Sequence, residues 1–366
     1  MKRTVKAINL ILPFLLMVAT LFVLVAILMQ NYNVTRGDVL IMFGVGAIIA
    51  GFFHALFHEL GHLIAGKIND FAFSEMVVWF FRWRRVGKHV AFGLVMIGEQ
   101  AGYTQMLPTK QECVEKGLKS MTLGGVIASF VWMLFGLAPL LFVGILPVWL
   151  FAVWSMFLPI GIYYFLGNGL PKETLGVRND GAVILGLIKN DDQAQVTINL
   201  LKIQAQLYNG KTPSQIDEGL YFNLPQLAED KLEFAMLLSA RYAYYLDKED
   251  YENAKKTTQR LLSLEDYLSK ENLIIVKADA LYNSCTFDYN EETADDLMYE
   301  LEDYLNAVNS ATNLRIKLAY LVCVVKEYDE VDMFVSKGQK EAKKHQLGGL
   351  GLMEQKLLYK LKNMIK

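Results

Sequence analysis

The residues His58-Glu59-Leu60-Gly61-His62 form an HExxH motif, in which two histidines and a glutamate have the spacing of a zinc site. On a helix, residues four positions apart share a face, so both imidazoles can bind one Zn²⁺ at about 2.0–2.1 Å. Glu59 is then placed to take a proton from water, whose pKa the metal lowers to about 7. With five histidines and 21 glutamates in 366 residues, the expected number of chance matches, (5/366)² × 21, is about 0.004. The alternative is a pair of hydrogen-bonded histidines that pack between helices.

The motif lies within one of four long apolar segments, all of which fall in the first half of the chain. These segments cover about residues 7–29, 39–66, 121–143 and 147–168, and each is near the roughly 20 residues that a helix needs to cross a bilayer. The first is longer than the apolar core of a signal peptide, about 7–15 residues, so we expect an uncleaved span. A glutamate inside such a segment is unfavourable and indicates a functional site.

Charge is divided unevenly along the chain. Residues 1–189 contain 15 lysines and arginines and 9 acids, a net charge of +6, whereas residues 190–366 contain 21 and 29, a net charge of −8. Of the 15 cations, 14 lie in segments 1–6, 67–120 and 170–189. The positive-inside rule places these segments, and with them both termini, in the cytoplasm, so we expect a multi-pass protein of the cell membrane. Three widely spaced cysteines are consistent with a reducing compartment.

Residues 71–105, between the second and third spans, have the composition of β-structure rather than of a fifth span. An aromatic and β-branched stretch begins at Phe71, a basic turn that contains glycine is expected at 82–88, and apolar residues return at 90–97. Two strands joined by a turn predict a hairpin. Within a membrane its open edges must dock on protein or line a wet cavity. A plain surface hairpin at the lipid headgroups is the alternative.

A catalytic zinc usually has three protein ligands and one open position, so a third ligand is expected elsewhere in the first half. His54 lies one turn before His58, but three histidines along one helix cannot surround one ion. We therefore expect His54 to line a cavity, to support the site or simply to pack. Among the acids near the spans, Asp180 stands out because it follows the end of the fourth span and precedes another apolar segment.

Together, these motifs resemble the site-2 protease family of intramembrane zinc metalloproteases, over about residues 40–189. In that family HExxH lies on one transmembrane helix, and an Asn-x-x-Pro…Asp-Gly element near a later helix supplies an aspartate ligand. Here that element matches Asn168 to Pro171, followed by Asp180-Gly181. The resemblance implies a site with Zn²⁺ as cofactor, Glu59 as the catalytic residue, His58, His62 and Asp180 as ligands, and Asn168 as a residue that holds the substrate backbone or stabilises the intermediate.

Two parts of the chain depart from the family pattern. The family's Gly-Pro-x-x-Asn-like stretch resembles Gly124 to Ser129, but Val126 and Ser129 replace the proline and asparagine. Asn179 follows Pro171 by eight positions, which is longer than usual, and Glu173 is the next candidate if Asp180 is not the ligand.

The family's re-entrant β-loop, which aligns extended substrate, matches the predicted hairpin at 71–105. The stretch from Gln100 to Met106 looks like the Gly-Tyr-containing strand that follows that loop.

Residues 190–366 favour helices, because they are rich in Leu, Ala, Lys, Glu and Tyr and contain only two prolines. Paired helical patterns recur, with Ala254, Ala294 and Val331 at intervals of 40 and 37 residues. Tetratricopeptide repeats have a period of about 34. This half is therefore similar to a divergent tetratricopeptide-like array, with an unrelated helical bundle as the alternative. Such arrays bind peptides or partner proteins in a concave groove, and the acidic balance does not suggest nucleic acid.

The sequence predicts a mainly α-helical, polytopic membrane protein with about four transmembrane helices, a re-entrant or interfacial β-hairpin and a cytosolic helical-repeat domain. The predicted function is zinc-dependent cleavage of transmembrane segments or signal-peptide-like substrates, with residues 190–366 recruiting or gating the substrate. One alternative is a membrane-anchored tetratricopeptide-like scaffold with a vestigial metal site. Another is a zinc-dependent hydrolase that acts on a non-peptide substrate in the lipid phase.

Overall fold

The computed structural model describes residues 3–96, 102–174 and 176–365. Over these residues the protein is mainly helical with a small sheet. The chain divides into two compact units, Met1–Met106 with Glu115–Asp191, and Leu107–Val114 with Asp192–Lys366. The division after Asp191 lies two residues beyond the predicted boundary at 189. Residues 107–114 were expected in the first unit but belong to the second, where Asn209 Nδ2 donates to Thr109 O at 2.7 Å.

Four helical stretches of the described chain are long and apolar enough to cross a membrane, which confirms the predicted number. They are Ile8–Asn31, Arg36–Ile68, Gln111–Phe142 and Val148–Gly169. The helices of the first unit are α1 (Arg3–Asn31), α2 (Arg36–Ile68), α3 (Val114–Phe135), α4 (Val148–Ser155), α5 (Phe157–Gly169) and α6 (Asp180–Lys189).

Local sequence explains where these helices begin and break. Thr35 caps α2, since its hydroxyl accepts from Asp38 N at 3.2 Å while the Asp38 carboxylate accepts from Thr35 N at 3.0 Å. The fourth stretch is interrupted after α4 because Pro159 lacks an N–H and its ring would clash with the carbonyl four residues earlier, at Ser155.

Helices α2 and α3 are in backbone contact beside the HExxH motif. A Cβ atom on Gly61 would overlap the carbonyl oxygen of Gly124, and a Cβ atom on Gly124 would overlap that of Gly61. Small residues permit this close approach, as they do between membrane helices generally. The contact fixes the position of α3 along its axis relative to His58 and His62.

The sheet has four strands, β1 (Phe71–Val78), β2 (Phe81–Val86), β3 (His89–Leu94) and β4 (Gly102–Pro108), in the order β3-β2-β1-β4. The predicted two-strand hairpin with a turn at 82–88 is therefore wrong. That basic segment forms β2, in which Arg84 pairs with Glu75 of β1 and Ala91 of β3. The turns lie at Trp79 and Gly87, both with positive φ, and Arg82 and Arg84 of β2 alternate with Trp83 as strand residues do.

Two further features complete the first unit. Residues 97–101, which include Gln100 at the start of the predicted Gly-Tyr strand, lie outside the described residues, and the strand itself is β4 from Gly102 onward. A short hairpin of β5 (Glu173–Thr174) and β6 (Val177–Arg178) connects α5 to α6.

The second unit is helical, and consecutive helices pack as pairs, α9 with α10, α11 with α12 and α13 with α14. Ala254, Ala294 and Val331 are buried near the start of the second helix of each pair, which accounts for their regular spacing. Its helices are α7 (Asp192–Tyr208), α8 (Gly219–Phe222), α9 (Leu232–Lys248), α10 (Tyr251–Leu262), α11 (Lys270–Cys285), α12 (Glu291–Ala307), α13 (Ala311–Tyr320), α14 (Val331–Ala342) and α15 (Gly348–Asn363).

A buried ion pair joins α13 to α15 in this unit. Arg315 is 1% exposed and Glu354 is 3% exposed, and Arg315 Nε donates to Glu354 Oε2 at 2.7 Å. Thr312 Oγ1 donates to Glu354 Oε1 at 2.8 Å, and the guanidinium lies 4.0 Å from the centre of the Tyr282 ring. Each charge is thus compensated within the helical core.

We expect Gly124→Ala to destabilise the first unit by about 1–3 kcal/mol, because the added methyl group meets backbone that cannot move aside. The measurement is the thermal unfolding midpoint of the purified protein in detergent. Gly44→Ala in α2 is the matched control, since a Cβ there has nothing within 4 Å. Equal midpoints for the two variants would contradict the close approach of α2 and α3.

We expect Glu354→Ala to lower the stability of the second unit by about 3–5 kcal/mol, because it leaves the buried guanidinium of Arg315 uncompensated. Hydrogen exchange of the α13 and α15 amides should rise in this variant. The double variant Arg315→Met/Glu354→Leu removes both charges and should recover much of the protection. A double variant less protected than Glu354→Ala would argue against this account.

Candidate metal centre

Three ligand atoms converge in the first unit. His58 Nε2 and His62 Nε2 are 3.1 Å apart, and Asp180 Oδ2 lies 3.2 Å from the first and 3.4 Å from the second. A tetrahedral ion with bonds of about 2.0–2.1 Å separates its ligand atoms by about 3.3 Å. The three atoms therefore have the spacing of one face of a tetrahedral site, which leaves the fourth position open.

The chemistry of these donors fits zinc. Two imidazole nitrogens and one carboxylate oxygen are ligands that Zn²⁺ accepts in catalytic sites. Asp180 Oδ2 is buried and has no hydrogen-bond partner among the described residues. A buried carboxylate oxygen without a donor is unfavourable, and a cation between the three side chains would remove that penalty.

The other nitrogen of each imidazole is held by α3. His62 Nδ1 lies 2.8 Å from Met121 O, and His58 Nδ1 lies 3.0 Å from Gly125 O and 2.9 Å from Ser129 Oγ. A carbonyl oxygen only accepts, so Nδ1 carries the proton and the Nε2 lone pair faces the centre. Main-chain partners of this kind leave no signal in a sequence.

Two positions of α3 gain a role from these contacts. A Cβ on Gly125 would lie 2.9 Å from His58 Cε1, so a side chain there would displace the imidazoles. Ser129, which departs from the family pattern, is buried and hydrogen-bonds to His58.

Glu59 lies beside the ligands and against strand β4. Its side chain is buried, and Thr104 Oγ1 donates to Oε2 at 2.7 Å. A Cβ on Gly102 would lie 3.1 Å from Oε1, so this oxygen faces backbone without a bulky side chain. Nothing in the sequence indicates a role for Thr104, because only the fold brings β4 next to α2.

Asp180 is the first residue of α6, and Asn179 holds it there. Asn179 caps α6, since its Oδ1 accepts from Ala182 N at 3.0 Å and from Lys172 N at 2.9 Å. Its amide group donates to Gly167 O and Leu170 O, both at 2.8 Å. The end of α5 and the start of α6 are thus one hydrogen-bonded unit. An asparagine just before an apolar helical segment is a typical N-cap signal in a sequence.

The remaining sequence candidates have different environments. His54 is fully buried, its Nε2 donates to Phe157 O at 2.9 Å and its ring stacks on Tyr164, so it packs and is not one of the three converging residues. Glu173 pairs across the β5–β6 hairpin with Arg178 and is likewise outside this group. Asn168 lines the same cavity as the ligands, and its amide donates to Tyr164 O at 3.1 Å.

A cavity of about 600 Å³ adjoins these side chains. It is lined by the three converging residues and Glu59, by Gly102, Tyr103 and Thr104 of β4, and by the β5–β6 hairpin. The arrangement therefore combines a metal-binding face, a carboxylate and an extended strand around one space. That space is large enough to admit a short peptide segment together with water.

We expect the purified protein to bind one Zn²⁺ per chain. Asp180→Asn should weaken binding by more than the roughly 10–100-fold typical for loss of a supporting hydrogen bond, because it removes a ligand charge. Metal content after dialysis and competition with a chromogenic chelator measure this. Glu173→Gln is the control. A larger loss of zinc binding in that variant than in Asp180→Asn would indicate that Glu173, and not Asp180, is the third ligand.

In comparisons with protein-family models, with curated proteins and with solved structures, this chain matches none. The functional assignment therefore depends on the residues and geometry of the site itself.

Proposed function

We propose that this protein is an intramembrane zinc-dependent endopeptidase that cleaves transmembrane segments or signal-peptide-like substrates. The observation that carries the proposal is the convergence of His58, His62 and Asp180 next to Glu59, on and beside an apolar helix. The motifs of the site-2 protease family cover the same residues, so the resemblance and the geometry support the same assignment.

The surface of the four apolar helices supports a membrane location. Large apolar side chains are exposed along them, including Phe22 at 70%, Leu40 at 76% and Ile41 at 67%. Exposed apolar faces of this extent are unfavourable in water and suit lipid. We further propose that both termini and residues 190–366 lie in the cytoplasm, as the distribution of lysine and arginine favours.

The proposed chemistry assigns each polar group a task. His58, His62 and Asp180 would hold the metal, and bound Zn²⁺ supplies Lewis acidity that polarises a carbonyl and acidifies water. Glu59 acts as general base and then as general acid, taking a proton from water at Oε1 and returning it to the leaving amine nitrogen. Thr104 donates to the other carboxylate oxygen, Oε2, and so fixes the orientation of the Glu59 side chain beside the ligands.

Strand β4 gives the proposed substrate a place to bind. The carbonyls of a helical substrate are occupied by its own hydrogen bonds, so the segment must unwind before cleavage. β4 is an edge strand of the sheet, and an extended peptide can add to such an edge through main-chain hydrogen bonds. Because Gly102 and Thr104 of β4 contact Glu59, a peptide on this edge would pass close to the site.

The second unit is proposed to recruit or gate the substrate. It consists of stacked helix pairs, and stacked pairs of this kind present extended surfaces to peptides and proteins.

The decisive experiment compares wild-type protein with Glu59→Gln in liposomes that contain a single-span protein substrate. We expect turnover to fall by about 10²–10⁴-fold while zinc remains bound, because the variant lacks only the proton acceptor. Glu173→Gln is the control and should cleave normally. Unchanged turnover in Glu59→Gln with zinc bound would contradict the proteolytic assignment. Hydrolysis of lipid instead of protein would favour the non-peptide hydrolase, and absence of both zinc and activity would favour the scaffold.

A further inference from the structure

Helix α1 carries an asparagine that bonds to the loop next to the metal centre. Asn9 Nδ2 donates to Pro171 O at 2.9 Å, across 162 positions of the chain. Thr20 and Asn31 of the same helix instead donate to carbonyls one turn earlier in α1, Leu16 O and Ile27 O, both at 2.8 Å. Asn9 therefore forms a tertiary contact, whereas these two residues satisfy their own helix.

The acceptor lies where backbone carbonyls need partners. The last carbonyls of a helix have no intrahelical donor, and in an apolar environment an unsatisfied carbonyl is strongly unfavourable. In the last turn of α5 and just beyond it, Asn179 donates to Gly167 O and Leu170 O, and Asn9 donates to Pro171 O. Two asparagines from distant parts of the sequence thus donate to successive carbonyls of this segment.

The loop is continuous with the proposed third ligand. Lys172, which follows Pro171, donates its N–H to Asn179 Oδ1 at 2.9 Å and accepts from Asn179 N at 3.0 Å. Asn179 in turn precedes Asp180 directly. A Cβ on Gly181 would overlap Gly169 O, so the start of α6 has no room to shift toward α5. Asn9 is therefore linked to Asp180 by short hydrogen bonds and by residues adjacent in the sequence, so the location of the loop at Pro171 affects the location of Asp180.

We infer that Asn9 is a positioning residue for Asp180, and that α1 takes part in the metal site as well as anchoring the chain. The inference rests on the proposed function, because it takes Asp180 as the third zinc ligand. Zinc–ligand distances tolerate only about 0.2 Å, so a loop released at Pro171 should bind the metal less well. We expect about tenfold weaker zinc binding without the Asn9 amide, the lower end of the range for supporting contacts.

The test compares Asn9→Leu with Asn31→Leu, which removes an amide from the same helix without touching the loop. Zinc affinity is measured by chelator competition, and the Co²⁺-substituted proteins are compared by their visible absorption, which reports ligand geometry. We expect weaker binding and an altered spectrum for Asn9→Leu only. Asn9→Gln retains a donor and should restore part of the affinity, which a purely structural loss would not predict.

The outcomes separate this inference from the proposed function. Wild-type affinity and spectrum in Asn9→Leu would overturn the inference and leave the protease assignment intact. A wild-type protein that binds no zinc would overturn both. If Asn9→Leu is not recovered folded, Asn9→Asp answers the same question, because it keeps the size of the side chain but lacks the donor; wild-type zinc binding in that variant would again overturn the inference.

Discussion

Three ligand atoms spaced 3.1–3.4 Å apart inside an apolar helical unit are the constraint that the other features of the first unit satisfy. Polar atoms this close are unfavourable unless something holds them there, and Asp180 Oδ2 has no hydrogen-bond partner among the described residues. The contacts that keep these atoms close together are contacts between backbone groups. Gly61 and Gly124 bring α2 and α3 together, and Gly181 sets the start of α6 against the end of α5.

Main-chain oxygens also orient the two histidines. Met121 O and Gly125 O face the Nδ1 atoms, so the tautomer of each imidazole follows from the position of α3 rather than from a particular neighbouring side chain. This explains how Ser129 can stand where the resembled family has asparagine. The serine adds a second contact to His58, but the carbonyl of Gly125 already provides a partner.

Features that depend on local pattern can be predicted from the sequence of this protein, whereas those that depend on tertiary contact cannot. The four apolar helices follow from the length of the apolar runs and the HExxH site from its local spacing, and Asp180 and Asn168 belong to a linear motif. The arginines and Gly87 at 82–88 predict a turn, and only pairing with both neighbouring strands makes residues 81–86 a strand. Thr104 and Asn9 act across 45 and 162 positions, so no spacing could indicate them.

The charges of the site favour the binding of a cation. An acidic side chain in a membrane helix is unfavourable by about 2.5–3.5 kcal/mol or more, which applies to Glu59 of α2, and Asp180 of α6 places a second carboxylate beside the same cavity. A divalent cation between the histidines would balance both negative charges. Its attraction to them is strengthened by the same low dielectric that makes the isolated carboxylates unfavourable.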